Sequence, residues 1–529
     1  MKTHTIFLAA VLLLNSCATT TLITSNVPES KVYIGGKYKG VTPYYHKDKL
    51  PTGARRKVEI QKEGYETVNS KISKFDRVNG MAVFAGFVVI APFLWSGTYE
   101  HYYQFNLTHV GESKPLKSEY LEYGEAFITS KGYFSIYLGE DNGSYVLFNQ
   151  NKLHYINKDL SFKETVKLDD KFRNVSIDGF IANGNKNVVQ FDKANNELHI
   201  LTINSSNKVS ERTIQKIQYN DGLVDKEMTY GYRRNSSTNN FVCYSDNLLS
   251  IYNSSAKKID TYTTDNFIIE AEILTDNRIV ILEVNKQGEF FIVDINNDDL
   301  NKFNVQSADK LNWSFPRLSI NEATGKIYVS MFIKKNKNNK IASIVEANVY
   351  SAKLSDLSGI SLKKIKLNES NSNKYMINRG VLSDEQNGIL CIERQWIVET
   401  TMTSASSSST SQKMVTGSIT LINFTKEKVV QKTLRKATSS SVHIPKLSSS
   451  FFLNDGKIYC IYNTQVNART FLTESVLDTD LNYLTVNYRD NYKEDKLIFH
   501  PSTSFETENG ETIFLMQYST RLGLAKVKF

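Results

Sequence analysis

The sequence is poor in cysteine and proline, with 4 cysteines and 8 prolines among 529 residues. Apart from Cys17, the cysteines are Cys243, Cys391 and Cys460. Because they are odd in number and far apart, they imply no disulfide framework. Because each of these three lies in an apolar run, we expect them to be small core residues on buried strands.

The sequence also lacks the local motifs of metal-dependent and nucleophilic enzymes. It contains no His-Glu-x-x-His, no Gly-x-Ser-x-Gly and no phosphate-cradling Gly-x-x-x-x-Gly-Lys. No pair of histidines has metal-ligand spacing. The histidines are His4, His46, His101, His109, His154, His199, His443 and His500. We therefore predict no metal, no cofactor and no catalytic residue, and we favour a binding protein over an enzyme.

Two acidic clusters have the oxygen ligands that calcium prefers, at Asp294–Asp299 and Asp478–Asp480. Both lie where the surrounding pattern predicts turns. Asp and Asn are also favoured in turns because their short side chains bond to nearby backbone groups. The sequence therefore favours turns at both clusters.

No strong charge excess is present. The chain has 64 basic and 55 acidic residues, a formal net charge of +9. Spread over this length, the excess is too small for a nucleic-acid-binding protein, although it suits contact with anionic lipid or glycan. Tyrosine (29) and phenylalanine (28) are abundant. With so little proline, this composition favours strands and turns over helices.

No apolar run reaches the length of about 20 residues that a membrane-spanning helix usually needs. Ile6–Leu14 is apolar for nine residues, which is typical of a secretory signal. The segment that follows, Leu14–Cys17, resembles the lipobox of bacterial lipoproteins. The resemblance implies cleavage after residue 16 and attachment of a diacylglyceryl group and an N-acyl chain such as palmitate to Cys17. The alternative is an ordinary signal peptide with an incidental cysteine.

The residues after Cys17 bear on location. By the sorting rules of the lipoproteins that the segment resembles, Ala18 in place of aspartate implies delivery to the outer membrane. Thr19, Thr20 and Thr21 provide none of the acidic residues associated with surface export. We therefore expect a lipid-anchored protein of the cell envelope, on the outer membrane and facing the periplasm.

A small β module follows. Strands are predicted at Leu22–Ser25, Lys31–Ile34 and Lys57–Gln61, separated by glycine turns. The turn at Gly35 and Gly36, the Gly-x-Thr-Pro element at Gly40 and the Gly-Tyr pair at Gly64 make this region similar to the PEGA domain. That resemblance implies a non-catalytic, sandwich-like module with an adhesion or docking role. The alternative is a spacer that lifts the next domain off the membrane.

A second apolar stretch, Gly80–Gly97, carries no charge and is followed by aromatic residues. Three interpretations remain open, namely a tilted transmembrane helix, a hydrophobic hairpin that dips into the leaflet, and a buried element under the β module. The alternating segment Tyr102–Leu107 then predicts a closing strand of the module.

The remainder of the chain repeats a unit with room for four strands. Such units stack radially as the blades of a propeller, because one blade cannot bury both faces. The units are Ala126–Leu168, Val175–Ile217, Thr229–Thr264, Phe267–Val305, Trp313–Leu367, Tyr375–Leu434, Val442–Tyr488 and Leu497–Phe529.

We count eight blades, with seven as the alternative. The last unit is one strand short, and residues 116–123 are predicted to supply that strand. A pair of β-sandwiches and a β-solenoid are the other architectures considered. Two polar stretches, Met402–Lys413 and Lys334–Lys340, are predicted as hairpin tips.

The sequence thus predicts an all-β protein in which a small PEGA-like β-sandwich precedes a seven- or eight-bladed β-propeller. The expected domains are a signal peptide (1–16), the PEGA-like module with its apolar insert (17–110) and the propeller (115–529). The expected partners are the membrane, through the Cys17 lipid and residues 80–97, and an envelope protein or glycan. The alternatives are a propeller enzyme acting on envelope or dietary glycan and a subunit of a membrane-associated assembly. Charged residues that converge in the propeller channel would favour the enzyme.

Overall fold

A computed structural model of the chain is all-β throughout the part that it describes. It describes residues 19–74, 76–78, 97–105, 107, 121–123, 127–128, 135–149, 151–168, 175–192, 195–216, 230–235, 237–295, 303–305, 313–337, 340–367, 376–403, 408–434, 436, 439–441, 449–466, 469–489, 499–507, 511–518 and 521–527. The chain divides into two compact units. The first contains residues 1–120, 435–439 and 449–498, and the second contains residues 121–434, 440–448 and 499–529.

The N-terminal module of the first unit is a sandwich of two sheets. One sheet has the strand order β4-β1-β9, and the other has the order β3-β2-β5-β6. A short pair, β7-β8, lies beside them. The strands are β1 (Thr19–Ser25), β2 (Lys31–Ile34), β3 (Lys37–Val41), β4 (Tyr44–Asp48), β5 (Arg55–Gln61), β6 (Val68–Ser73), β7 (Arg77–Val78), β8 (Gly97–Thr98) and β9 (Tyr102–Phe105).

Alternation of apolar and polar residues builds this sandwich. Val32, Val58 and Ile60 are fully buried and face Ile23 of the other sheet, while their sequence neighbours point outward. The predicted turn between β2 and β3 is confirmed, because Gly35 and its neighbour Gly36 have φ values of 60° and 76°. The predicted closing strand is confirmed as β9, which pairs in parallel with β1. The sequence did not predict β3 and β4.

The apolar stretch Gly80–Gly97 lies outside the described residues except for its last residue. The chain on its two sides is described, and Val78 pairs with Gly97 in the antiparallel β7-β8 ladder. The three interpretations of the stretch therefore remain predictions. Among the described residues, no helix has the length and the apolar character needed to cross a membrane.

A further four-stranded sheet belongs to the first unit. Its strands are β37 (Ser449–Asn454), β38 (Lys457–Val466), β39 (Arg469–Asp478) and β40 (Tyr483–Arg489). Leu22 of β1 and Val486 of β40 form a small shared core with partly buried tyrosines around it. The Tyr45 hydroxyl lies 3.0 Å from the Thr464 hydroxyl. The module is thus packed directly on this sheet.

The second unit contains seven sheets. They comprise β12 (Ile136–Asp141), β13 (Ser144–Asn149), β14 (Lys152–Asn157) and β15 (Phe162–Lys167); β16 (Val175–Ala182), β17 (Asn185–Asp192), β18 (Glu197–Ile203) and β19 (Val209–Lys216); β20 (Tyr230–Arg234), β21 (Phe241–Ser245), β22 (Leu248–Tyr252) and β23 (Lys258–Thr263); β24 (Phe267–Ile273), β25 (Ile279–Val284), β26 (Phe290–Asp294) and β27 (Phe303–Val305); β28 (Trp313–Asn321), β29 (Lys326–Lys337), β30 (Lys340–Lys353) and β31 (Ser361–Lys366); β32 (Met376–Ser383), β33 (Gly388–Thr403), β34 (Ser408–Asn423), β35 (Val430–Leu434) and β36 (Ser439–Ser441); and β41 (Phe499–Glu506), β42 (Thr512–Tyr518) and β43 (Arg521–Val527) with β10 (Leu121–Tyr123) and β11 (Phe127–Ile128). In six of the sheets four strands pair in chain order, and in the seventh the upstream strands β10 and β11 pair with β43.

Consecutive sheets of the second unit, from β12 to β35, pack their apolar faces on one another. Five apolar cores join the six consecutive sheets from β12 to β35. The last sheet packs on the first, since Leu515 and Leu524 share a core with Leu147 and Ile156. The predicted closing strand is confirmed as β10, which pairs with β43. Sheets that stack in this way form a propeller.

The fold is therefore all-β, a small sandwich followed by a β-propeller of seven or eight blades. Each of the eight predicted units contains one of the observed sheets, and the seventh of these, β37–β40, groups with the first unit. The three cysteines Cys243, Cys391 and Cys460 are buried on strands, as predicted.

The two predicted polar tips are largely strand. The β33-β34 ladder continues to Thr403 and Ser408, and the β29-β30 ladder continues to Lys337 and Lys340. The intervening residues 404–407 and 338–339 lie outside the described residues. The threonines of β33 explain part of this difference, because β-branched side chains fit an extended ladder well.

Candidate functional site

The first strands of the second unit's sheets lie innermost and contact one another. Direct contacts join β12 to β16, β20 to β24, β24 to β28, and β28 to β32. Several of these strands contain a β-bulge at the same relative place. The bulge precedes Gly139 on β12, Asp178 on β16, Glu270 on β24, Arg317 on β28 and Gly380 on β32. A bulge re-aims the side chains beside it, and here it brings charged residues together around the inner strands.

A belt of ion pairs links four consecutive inner strands. The Arg233 guanidinium on β20 donates to Glu270 on β24 at 3.0 Å and to Glu272 at 2.8 Å. Arg317 on β28 donates to the same Glu270 oxygen at 2.8 Å. On the other side, Arg234 donates to Asp178 on β16 at 3.0 Å. We call these six residues the inner belt.

The inner belt is electrostatically self-contained. Burial alone would lower the pKa of Arg233, but the negative charges of Glu272 and Glu270 outweigh it and raise that pKa. Burial alone would also lower the pKa of Arg234, but the negative charge of Asp178 outweighs it and raises that pKa. Burial raises the pKa of the Glu272 carboxyl, and the Arg233 charge opposes that rise. Both arginines therefore remain charged at any physiological pH.

Glu270 is saturated with donors. One of its oxygens accepts from Arg233 and Arg317, and the other accepts from the Leu318 backbone N–H at 2.7 Å. Its side chain is only 6% exposed. A buried carboxylate that accepts hydrogen bonds from three donors on neighbouring strands acts as a structural brace, because its acceptor positions are already engaged.

A cavity of about 190 Å³ lies at one end of the inner belt. The Asp178–Arg234 pair lines it together with the aromatic residues Tyr137 and Phe505 and the hydroxyl of Ser504. The two rings stack on each other with centroids 3.8 Å apart. The remaining lining residues are Ser135, Ile136, Ile177 and Leu515. This volume is below the range of about 300 Å³ and more that is typical of drug-sized pockets, so it suits one small polar unit.

Cys17 and residues 80–96, which were predicted as membrane attachments, lie outside the described residues. The histidines are dispersed, and His154 is a fully buried core residue whose pKa burial lowers to about 4. Within the described part of the chain, no group of three or more His, Cys, Asp or Glu side chains is arranged to hold a metal.

The described parts of the two acidic clusters are engaged in local contacts. Asp478 accepts hydrogen bonds from the backbone and side chain of Asn482, as in the turn that was predicted there. Asp294 is buried and lies 3.5 Å from Arg278. Most of the first cluster after Asp294 lies outside the described residues.

Sequence reasoning missed the inner belt. Local motifs do not reveal it, because the belt pairs residues that lie 37 to 56 positions apart in the sequence. A signal was nevertheless present, because Asp178, Glu270 and Arg317 interrupt first strands that are otherwise mainly apolar. A charge at the same place in successive repeats indicates a ring of inner side chains.

The N-terminal module can be compared with known families. Residues 18–79 match the PEGA domain family. The matched residues include every strand of the two sandwich sheets except β9. No curated protein matches the chain significantly in sequence.

Solved propeller structures resemble the chain at low similarity. The WD40 domain of SCAP from fission yeast is 10% identical with a TM-score of 0.36, and the match covers 77% of this chain and 95% of that one. The polysaccharide lyase Uly1 is 10% identical with a TM-score of 0.40, covering 69% and 93%. The Nup133 β-propeller domain of Vanderwaltozyma polyspora is 8% identical with a TM-score of 0.34, covering 64% and 91%. Similarity at this level carries no argument about function.

Proposed function

We propose that this chain is a lipid-anchored binding protein of the cell envelope whose propeller engages a glycan. The PEGA-like module and the propeller support a binding or scaffold role. The observation that carries the glycan proposal is the cavity at the end of the inner belt, where an ion pair and hydroxyl groups lie beside an aromatic pair. Sugars are recognised by this combination, because their hydroxyls need paired donors and acceptors while their C–H faces pack on rings.

Membrane attachment in this proposal starts at Cys17, two residues before β1. A single acyl chain holds a protein only marginally, whereas several chains give stable anchoring. Residues 80–97 would add to it by entering and leaving the same leaflet. The β7-β8 ladder supports this choice, since a single crossing would separate the two ends of the stretch by about 30 Å.

The saturated carboxylate of Glu270 makes the enzyme alternative less suitable. Among the belt carboxyls, Glu272 comes nearest to a general acid because burial raises its pKa. Its direct contact with Arg233 opposes that use, since the cation favours the ionised form. A membrane-associated assembly remains compatible with the same anchor, with the glycan site as one of its contacts.

Filling the cavity tests the proposal. Ser504 is exposed and lines the cavity, so a Ser504→Phe side chain would occupy the space that a sugar unit needs. We expect binding to envelope polysaccharide fragments, measured by titration calorimetry, to weaken at least about tenfold, the loss of one or two hydrogen bonds. The matched control is Ile259→Phe, at a 56% exposed position on an outer strand. Equal binding by both variants would contradict the cavity as the site.

A further inference from the structure

The positive charge of the chain is concentrated on one sheet of the PEGA-like module. The strands of the β3-β2-β5-β6 sheet carry seven lysines and arginines and a single acid, Glu59. The whole chain has a net charge of only +9. Two thirds of that excess therefore comes from one small sheet, which the overall composition does not reveal.

The pleat directs much of this charge to one face. Val32, Val58 and Ile72 point into the sandwich and are fully buried. Their neighbours Lys31, Lys57 and Lys71 are exposed. We call the outward surface around these three lysines the basic face. The opposite side of the module is occupied, because Leu22 of the other sheet is buried against β40.

The lysines of the basic face are placed at a cost to stability. Lys57 and Lys71 are direct partners in the β5-β6 ladder. Like charges directly opposite each other across two strands are destabilising. Glu59 relieves the repulsion only weakly, since its carboxylate is 3.9 Å from the Lys57 ammonium. Packing within the module therefore gives no reason for this pair, whereas an anionic partner outside the module does.

Two tyrosines stand beside these lysines. Tyr33 and Tyr38 face each other across the β2-β3 hairpin, and their rings meet edge to face with centroids 5.6 Å apart. Tyr38 is 58% exposed, more than any other large hydrophobic side chain in the described part of the chain. Exposed tyrosine next to lysine is typical of surfaces that rest at the lipid headgroup level, where the ring is partly buried and the hydroxyl stays hydrated.

We propose that the basic face binds the anionic phospholipid headgroups of the membrane, independently of the lipid on Cys17. The inference deepens the proposed function, because it makes the PEGA-like module a second membrane contact. The positive charge fits either anionic partner, and the exposed Tyr38 favours a bilayer over a soluble acidic glycan because its ring can be partly buried at the headgroup level. The module would then lie with one side on the bilayer and the other against the β37–β40 sheet.

The test uses the full chain carrying Cys17→Ser, so that lipidation plays no part. Its partitioning is measured by sedimentation with vesicles of phosphatidylcholine alone and of phosphatidylcholine mixed with phosphatidylglycerol. Each lysine near an anionic surface contributes about fivefold to the partition coefficient. We therefore expect Lys31→Gln, Lys57→Gln and Lys71→Gln together to weaken binding to the mixed vesicles about 100-fold. Binding by the Cys17→Ser parent should also fall as salt is raised.

The matched control replaces Lys167, Lys258 and Lys364 by Gln, because these exposed lysines lie on outer strands of the second unit. It should bind within about twofold of the parent, since charge away from the contact is screened. Lys71→Gln alone, with an expected fivefold loss, serves if the triple variant does not fold.

Three outcomes would overturn the inference. The first is equal binding by the triple and control variants, and the second is equal binding of the parent to vesicles with and without phosphatidylglycerol. The third is displacement of the parent from the mixed vesicles by polygalacturonate at a concentration of negative charge lower than that of the vesicles themselves. The last would assign the basic face to an acidic glycan. None of these outcomes bears on Cys17, so a failure here is distinguishable from a failure of the lipid anchor.

Discussion

A Glu270→Gln protein is expected to lose about 3 kcal/mol of unfolding free energy. Glu270 is the only carboxylate of the inner belt that links three sheets, because it pairs with Arg233 on one neighbouring sheet and with Arg317 on the other. Glutamine is nearly the same size, so the substitution leaves no large void. It removes the negative charge between two guanidinium groups and leaves them to repel each other. The measurement is the urea midpoint of the Cys17→Ser chain with and without the substitution.

Glu289→Gln is the matched control for this experiment. Glu289 lies in the same sheet's β25-β26 turn, is exposed and accepts a hydrogen bond from Asn285 at 2.7 Å. Its substitution should change the free energy of unfolding by no more than about 0.5 kcal/mol. Similar losses for the two variants would show that the belt is not a brace of the propeller.

The second large effect is expected for Lys74→Met, in the PEGA-like module. Lys74 is fully buried, and its ammonium lies 2.8 Å from the Asp48 carboxylate and 5.4 Å from the Tyr99 ring centroid. Breaking a buried pair leaves an uncompensated charge, so the loss should be about 3 kcal/mol. Lys71→Met changes an exposed lysine three residues away and should cost little. A similar melting temperature for both variants would contradict the account of this pair.

The Lys74–Asp48 pair also predicts acid sensitivity. Burial alone would raise the pKa of Asp48, but hydrogen bonds from His46, Lys74 and Tyr99 outweigh it and hold that pKa well below the usual range. The folded-state pKa is thus depressed. The stabilisation is fully present above the ordinary carboxyl pKa of about 3.9 and is lost as the pH falls below it. Lys74→Met should therefore narrow the difference in stability between neutral and acidic pH.

Much of the fold could be predicted from the sequence. Turn residues followed by apolar strands recur at regular intervals, and the hairpin turns contain residue types that favour turns. Asn277, Gly325 and Gly456 all have positive φ at such turns, which is why these residue types mark them. The short last unit also indicated a strand borrowed from upstream, because an open blade would leave backbone groups unpaired.

The inner belt and the basic face were harder to predict, for a shared physical reason. A β-bulge adds one residue to a strand and so changes which side chains face inward. No local sequence pattern predicts where a bulge occurs. The side that Lys57 and Lys71 occupy follows from their neighbours Val58 and Ile72, which are buried in the module core. Their pairing depends on the register of β5 and β6. Charges that are dispersed along the sequence become neighbours only after the sheets form.

The docking of the module changes how the N-terminus is understood. Leu22 and Tyr45 of the module contact Val486 and Thr464 of the β37–β40 sheet. An anchor placed at Cys17 would therefore be joined to a strand, β1, that packs on the β37–β40 sheet.

The central claim is that Cys17 carries the lipid that places this binding protein on the envelope. The most direct measurement is mass spectrometry of the N-terminal peptide of the full-length protein extracted from membranes. The account predicts a mature chain that begins at Cys17 and has the added mass of a diacylglyceryl group and an N-acyl chain. A chain that begins at another residue, or that retains an unmodified Cys17, would contradict it.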